Sequence, residues 1–71
     1  MYYVCDKYYE NYRYRFNYEE DGSFIVDVYI DDNYIQRRKH KNLEEVSDRY
    51  GKHFPDLNEF IKAFLLKFSS N

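Results

Sequence analysis

The sequence predicts an α+β domain: a three-stranded antiparallel sheet, a β-meander, followed by two helices with the C-terminal helix packed on the sheet. Three observations predict it. Apolar and polar residues alternate with a period of two over 12–18 and again over 24–30, the apolar period turns helical after Asn42, and 71 residues can enclose only one core, so 1–71 reads as a single domain. With 34% charged and 44% apolar residues the composition is that of a folded chain, not a disordered one.

In Tyr12-Arg13-Tyr14-Arg15-Phe16-Asn17-Tyr18 the alternation puts Tyr12, Tyr14, Phe16 and Tyr18 on one face. Phe24, Val26, Val28 and Ile30 form the matching set in the next strand. The loop between them decides the register. A two-residue Asp21-Gly22 turn would set the apolar set of the second strand opposite Asn17, Arg15 and Arg13. A three-residue loop, Glu20-Asp21-Gly22, instead pairs Tyr18 with Phe24, Phe16 with Val26, Tyr14 with Val28 and Tyr12 with Ile30. It also puts Gly22 where a G1 bulge needs a left-handed residue. On the other face this register sets Arg15 opposite Asp27 and Arg13 opposite Tyr29.

Asp31-Asp32-Asn33 signals a second turn, and the short run Tyr34–Arg38 reads as the third strand, with Ile35 beside Ile30 on the core face if Asp32-Asn33 is the loop. Its basic end then lies near Asp27. Asn42-Leu43-Glu44-Glu45 is a capping box, and Leu43, Val46 and Tyr50 follow on one helical face before Gly51 ends the turn. Asp56-Leu57-Asn58-Glu59 is a second capping box. Behind it Leu57, Phe60, Ile61, Phe64, Leu65 and Phe68 make a helical stripe that faces the core, with Leu66 opposite it. On this reading Phe64→Ala costs about 3–5 kcal/mol. Residues 1–11 admit an edge strand at Tyr2–Cys5, but periodicity does not decide.

Few catalytic constellations are available, and the chain reads as not an enzyme. Cys5 is the single cysteine, which excludes an internal disulfide, and no family signature surrounds it. Cys5, His40 and His53 match no metal-ligand spacing, and two glycines leave no phosphate loop, so neither a metal nor a cofactor is expected. The acid pairs fall in predicted turns, where Asp and Glu serve turn geometry. No apolar run approaches the roughly 20 residues of a membrane span and the N-terminal residues lack a secretory layout, so the chain reads as soluble and cytoplasmic.

Two binding classes remain. Residues 1–35 carry eight acids, three bases and nine of the ten tyrosines, whereas residues 36–71 carry five acids and eight bases. Ten tyrosines exceed what one small core buries with every hydroxyl satisfied. Tyr2, Tyr3, Tyr8, Tyr9, Tyr29 and Tyr34 are therefore candidates for a protein-binding surface, with Leu66 as an unpartnered apolar side chain and Glu19, Glu20 and Asp21 as an acidic end that suits a basic surface on a larger partner. A homodimer stays open. The alternative is DNA or RNA binding through Arg37, Arg38, Lys39 and Lys41 with exposed tyrosines; a solvated basic connector between strand and helix is the blander reading of the same run.

The order of a three-stranded sheet followed by helix is similar to the arm-site DNA-binding domains of tyrosine integrases, which implies nucleic acid as ligand. Tyr, Phe, Asn, Lys and Ile make up 32 of the 71 residues, all written with A/T-rich codons. A small tyrosine-rich domain of that coding bias also resembles in character the accessory proteins of phages and mobile elements, anti-CRISPR inhibitors among them. That likeness implies a partner in the host, bound and inhibited or adapted.

Overall fold

A computed structural model describes residues 1–70 and shows an antiparallel sheet followed by two helices. The strands are β1 (Tyr2–Tyr9), β2 (Tyr12–Tyr18), β3 (Phe24–Ile30) and β4 (Asn33–His40), side by side in chain order. Helices α1 (Leu43–Tyr50) and α2 (Leu57–Ser69) cover one face. The sheet therefore has four strands where the sequence predicts three, and the extra one is β1.

The β2–β3 hairpin has the predicted register, Tyr18 opposite Phe24 through Tyr12 opposite Ile30. Its three-residue loop is closed by the Glu19 amide donating to the Ser23 carbonyl at 2.9 Å, and Gly22 takes the left-handed φ of 91°. β1 escaped the period-two reading because it bulges. Its pairing with β2 steps from Tyr3 opposite Asn17 to Cys5 opposite Phe16, so Val4 and Cys5 both reach the core while Tyr3 and Asp6 share the other face.

The third turn also differs from expectation. Asp31 and Asp32 both have positive φ, 49° and 66°, and form a two-residue turn that sets Ile30 opposite Asn33. A turn with two left-handed residues follows the twist of the strands it joins, and Asp tolerates that conformation. A bulge beside Tyr29 then leaves Ile35 out of the core, 44% exposed, instead of beside Ile30. β4 continues to His40, so the basic run is strand and not a connector.

α1 begins as predicted: Asn42 Oδ1 accepts from the Glu45 amide at 3.0 Å, and the Glu45 carboxylate accepts from the Lys41 amide at 2.8 Å. After it, a Cβ at Gly51 would lie 2.5 Å from the Ser47 carbonyl oxygen, so that turn needs glycine for space. The second capping box does not form. The Asp56 side chain makes no cap hydrogen bond and accepts from Lys7 Nζ at 2.9 Å instead.

The core is the inner face of the sheet, Phe16, Phe24, Val26 and Val28, closed by Val46, Tyr50, Phe54, Leu57 and Ile61. The α2 stripe is only partly buried, because the helix lies along β1 at the side of the sheet. Leu57 and Ile61 are enclosed, while Phe64 and Phe68 are half-buried with their rings 5.9 and 5.3 Å from that of Tyr18. Phe60 is exposed under the Lys7 ammonium, which sits 3.7 Å from its ring centre. Among the described residues no helix is long and apolar enough to cross a membrane.

Candidate interaction surface

The helices leave the other face of the sheet open, and the strand registers set its side chains in three rows that cross all four strands. The first row is Tyr3, Asn17, Ile25, Lys39; the second is Asp6, Arg15, Asp27, Arg37; the third is Tyr8, Arg13, Tyr29, Tyr34. The two edge-strand bulges create this order, since they bring Tyr3 with Asp6 and Tyr34 with Arg37 to one face at a spacing of three.

The middle row alternates in charge from edge to edge and is closed into two ion pairs. Arg15 Nε donates to Asp6 Oδ1 at 3.2 Å. Arg37 grips Asp27 with both ends of its guanidinium, Nε to Oδ1 at 2.7 Å and Nη2 to Oδ2 at 3.2 Å. Asp27 is buried beneath that pair, and Ile25 and Asn17 are buried beside it, so long side chains roof the centre of the face. Aromatic rings flank the row. The Arg13 guanidinium lies 4.1 Å from the Tyr29 ring centre and that of Arg15 5.3 Å from Tyr3, while Tyr29 and Tyr34 meet edge to face at 5.6 Å. Tyr3, Tyr8 and Tyr34 remain 55%, 67% and 55% exposed. Partial burial, with the Asp6 carboxylate adding to it, raises the Tyr3 pKa.

The predicted binding residues divide between the faces. Tyr3, Tyr8, Tyr29 and Tyr34 share the open face with Arg37 and Lys39. Tyr2 and Tyr9 lie on the helix side, against Phe68 at 4.7 Å and His53 at 4.3 Å. Arg38 alternates to the helix side, opposite Val26, and Lys41 follows the end of β4, so the run 37–41 does not form one patch. The acids of the β2–β3 loop all have partners in this chain. Glu19 pairs with the terminal amine at 3.4 Å, Glu20 accepts from the Tyr2 hydroxyl at 2.7 Å, and Asp21 accepts from Ser23 Oγ at 2.6 Å and lies 3.9 Å from Lys39 Nζ. Leu66 is 72% exposed beside Lys62 and Ser69 on α2, away from the sheet.

Sequence reasoning missed Asp6, Arg13, Arg15 and Asp27 as members of a surface. The signal was present in the hairpin, where the correct register already set Arg15 opposite Asp27, but the outer members of the row belong to the bulged edge strands.

Cys5 and His40 are both engaged in packing. Burial pushes the Cys5 thiol up to about 11, far from a nucleophilic thiolate at neutral pH. His40 Nε2 is 2.8 Å from the Tyr50 hydroxyl. Among the described residues no three His, Cys, Asp or Glu side chains gather as metal ligands. Comparison with family models, curated proteins and solved structures finds no match.

Proposed function

We propose that the protein is a non-enzymatic binding module, an inhibitor or adaptor that docks on a larger protein through the open face of its sheet. One observation carries the reading: Tyr3, Tyr8 and Tyr34 stand more than half exposed on a face neither helix covers, around arginines fixed by ion pairs. Tyrosine and arginine supply large, rigid contact area with polar tips, the composition of interface hot spots. Side chains already held in place lose little entropy on docking. Glu19, Glu20 and Asp21 sit at the rim with local partners, so they act on approach by charge steering more than on the bound contact. A host-directed cytoplasmic role, as in phage accessory proteins, suits the coding bias and the free, buried cysteine.

The nucleic-acid reading keeps one supporting observation: Arg37 and Lys39 share a face with Tyr29 and Tyr34, cations beside stacking rings. Against it, both cations face carboxylates of this chain, at 2.7 and 3.9 Å.

Affinity capture from the native host, followed by titration of the purified captured protein, tests the proposal. Tyr8→Ala with Tyr34→Ala is expected to weaken binding about tenfold or more, while Leu66→Ala leaves it within about twofold. Recovery of nucleic acid alone, with micromolar oligonucleotide affinity that Arg37→Gln and Lys39→Gln abolish, would replace this reading with the second.

A further inference from the structure

We propose that the outer edge of β4 takes up an extended acidic segment of a partner protein as a fifth strand. That the ligand is protein rests on the reading above; the edge itself is a separate site adjoining the open face. β4 is the last strand of the sheet, paired on one side only, and among the described residues no backbone hydrogen bond reaches it from the other side. Every second residue therefore turns a free N–H and C=O outward, a row that another extended backbone matches.

The two edges of the sheet differ. β1 has α2 alongside it, with Lys7 reaching Asp56 at 2.9 Å and the Phe60 ring, and it is bulged at Val4. β4 has six of its eight residues exposed, and it meets α1 at its end, where His40 contacts Tyr50. Its own bulge lies near the turn, between Tyr34 and Gln36. From Gln36 to His40 the register with β3 is unbroken, so these residues offer a regular edge roughly 16 Å long.

The regular stretch is also the basic one. Arg37, Arg38 and Lys39 stand in it, Lys41 follows, and β4 carries no acid. Arg37 and Lys39 lie on the open side and Arg38 on the helix side, so a strand laid along this edge meets positive charge on both of its faces. These cations keep capacity for a ligand. Among the described residues Arg38 and Lys41 have no carboxylate within ion-pair distance, and Lys39 meets Asp21 only at 3.9 Å with both groups exposed. Arg37 holds Asp27 through Nε and Nη2, which leaves Nη1 without a hydrogen bond among the described residues.

Charge selects the occupant. Lysine and arginine along an edge deter pairing with basic strands. A second copy is deterred for the same reason, since antiparallel pairing of two β4 edges about Arg38 sets Arg38 against its own copy and Arg37 against Lys39. A segment with Asp or Glu at alternate positions turns that repulsion into cross-strand pairs. Main-chain hydrogen bonds then hold the strand and charge chooses it, the division of roles found where peptides add to sheet edges. A nucleic-acid strand could meet the same cations but cannot supply the alternating donors and acceptors of a β-strand.

A synthetic peptide of about seven residues, alternating glutamate with valine and blocked at both ends, tests this. In titrations at low salt the native chain is expected to bind it at least about tenfold more tightly than a counterpart with lysine for glutamate, and Arg38→Glu with Lys39→Glu is expected to reverse that order. N-methylation separates strand addition from charge attraction. Methyl groups on all the glutamate nitrogens strip the donors from one edge of the peptide, and on all the valine nitrogens from the other. One isomer is expected to lose binding and the other to keep it within about twofold. Hydrogen exchange at alternate amides of 36–40 is expected to slow in the complex. Absence of binding at about 1 mM peptide, or two methylated isomers that bind alike, would overturn the proposal. So would an oligothymidylate of equal charge that binds more tightly than the peptide and is lost in the same double variant. Should that variant unfold, Lys39→Glu alone changes an exposed side chain, and unchanged peptide binding in it overturns the proposal too. Failure of the peptide leaves the open-face reading standing, whereas a captured partner indifferent to Tyr8→Ala with Tyr34→Ala sinks that reading and not this one.

Discussion

Phe16 and Arg15 are neighbours in β2 and face opposite ways. Phe16 is fully enclosed, its ring edge-on to Tyr50 at 5.2 Å, and its row continues into Val26 and Cys5. Arg15 belongs to a row of ions on the open side. Both faces are ordered, but by different forces: the inner face by removal of apolar area from water under two helices, the outer by ion pairs and ring contacts that keep their ends in solvent. The exposed rings at the ends of the outer face, Tyr3, Tyr8 and Tyr34, contribute little net stability and are free to vary without unfolding the domain, whereas Asn17, Ile25 and Asp27 at its centre are buried.

The largest expected effect lies on the inner face. Phe16→Ala leaves a cavity at the centre of the core and is expected to cost about 3–5 kcal/mol, enough to unfold much of so small a domain, as denaturant melts will read. Phe64→Ala removes a half-buried ring and is expected to cost about 1–2 kcal/mol, less than the helical stripe alone suggests. Equal losses at the two sites would mean that α2 closes over the middle of the sheet.

Where the sequence failed as a guide to this contrast, the reason is local. The β2–β3 hairpin was legible because strict alternation, a glycine at the loop and buried partners on both strands all agree. β1 was not, because the Val4 bulge breaks the alternation and Lys7 fills an inward position, reaching Asp56 and the Phe60 ring. β4 carries Gln36, Arg38 and His40 on the helix side, so its extent leaves no apolar period to read. The charge row joins those two edge strands to the hairpin, and only the Arg15 and Asp27 half of it follows from the hairpin register.

A smaller effect marks the border of the two regions. His40 ends β4 with its ring against Tyr50, and burial lowers its pKa despite the opposing pull of Glu45. The unfolded chain therefore takes up this proton more readily. Stability from this group is complete above about pH 6.5 and is lost as the pH falls through the lower folded-state value. His40→Gln is expected to flatten the melting temperature between about pH 7 and pH 5; an unchanged slope would assign the dependence to other groups.

The smallest expected change in stability is on the outer face. Tyr8→Ala with Tyr34→Ala is expected to shift unfolding by no more than about 0.5 kcal/mol per site, in the same variant whose binding is expected to fall about tenfold. A large loss of stability there would make the outer rings part of the fold and remove the contrast.

Oxidative footprinting of the tyrosines, in the free protein and in complex with the captured partner, tests the division of the sheet most directly. Tyr3, Tyr8 and Tyr34 are expected to label readily in the free chain and the buried Tyr50 not at all, with the first three protected on binding while Tyr2 and Tyr9 on the helix side stay unchanged. Protection confined to Tyr2 and Tyr9, with the open face still labelled in the complex, would contradict it.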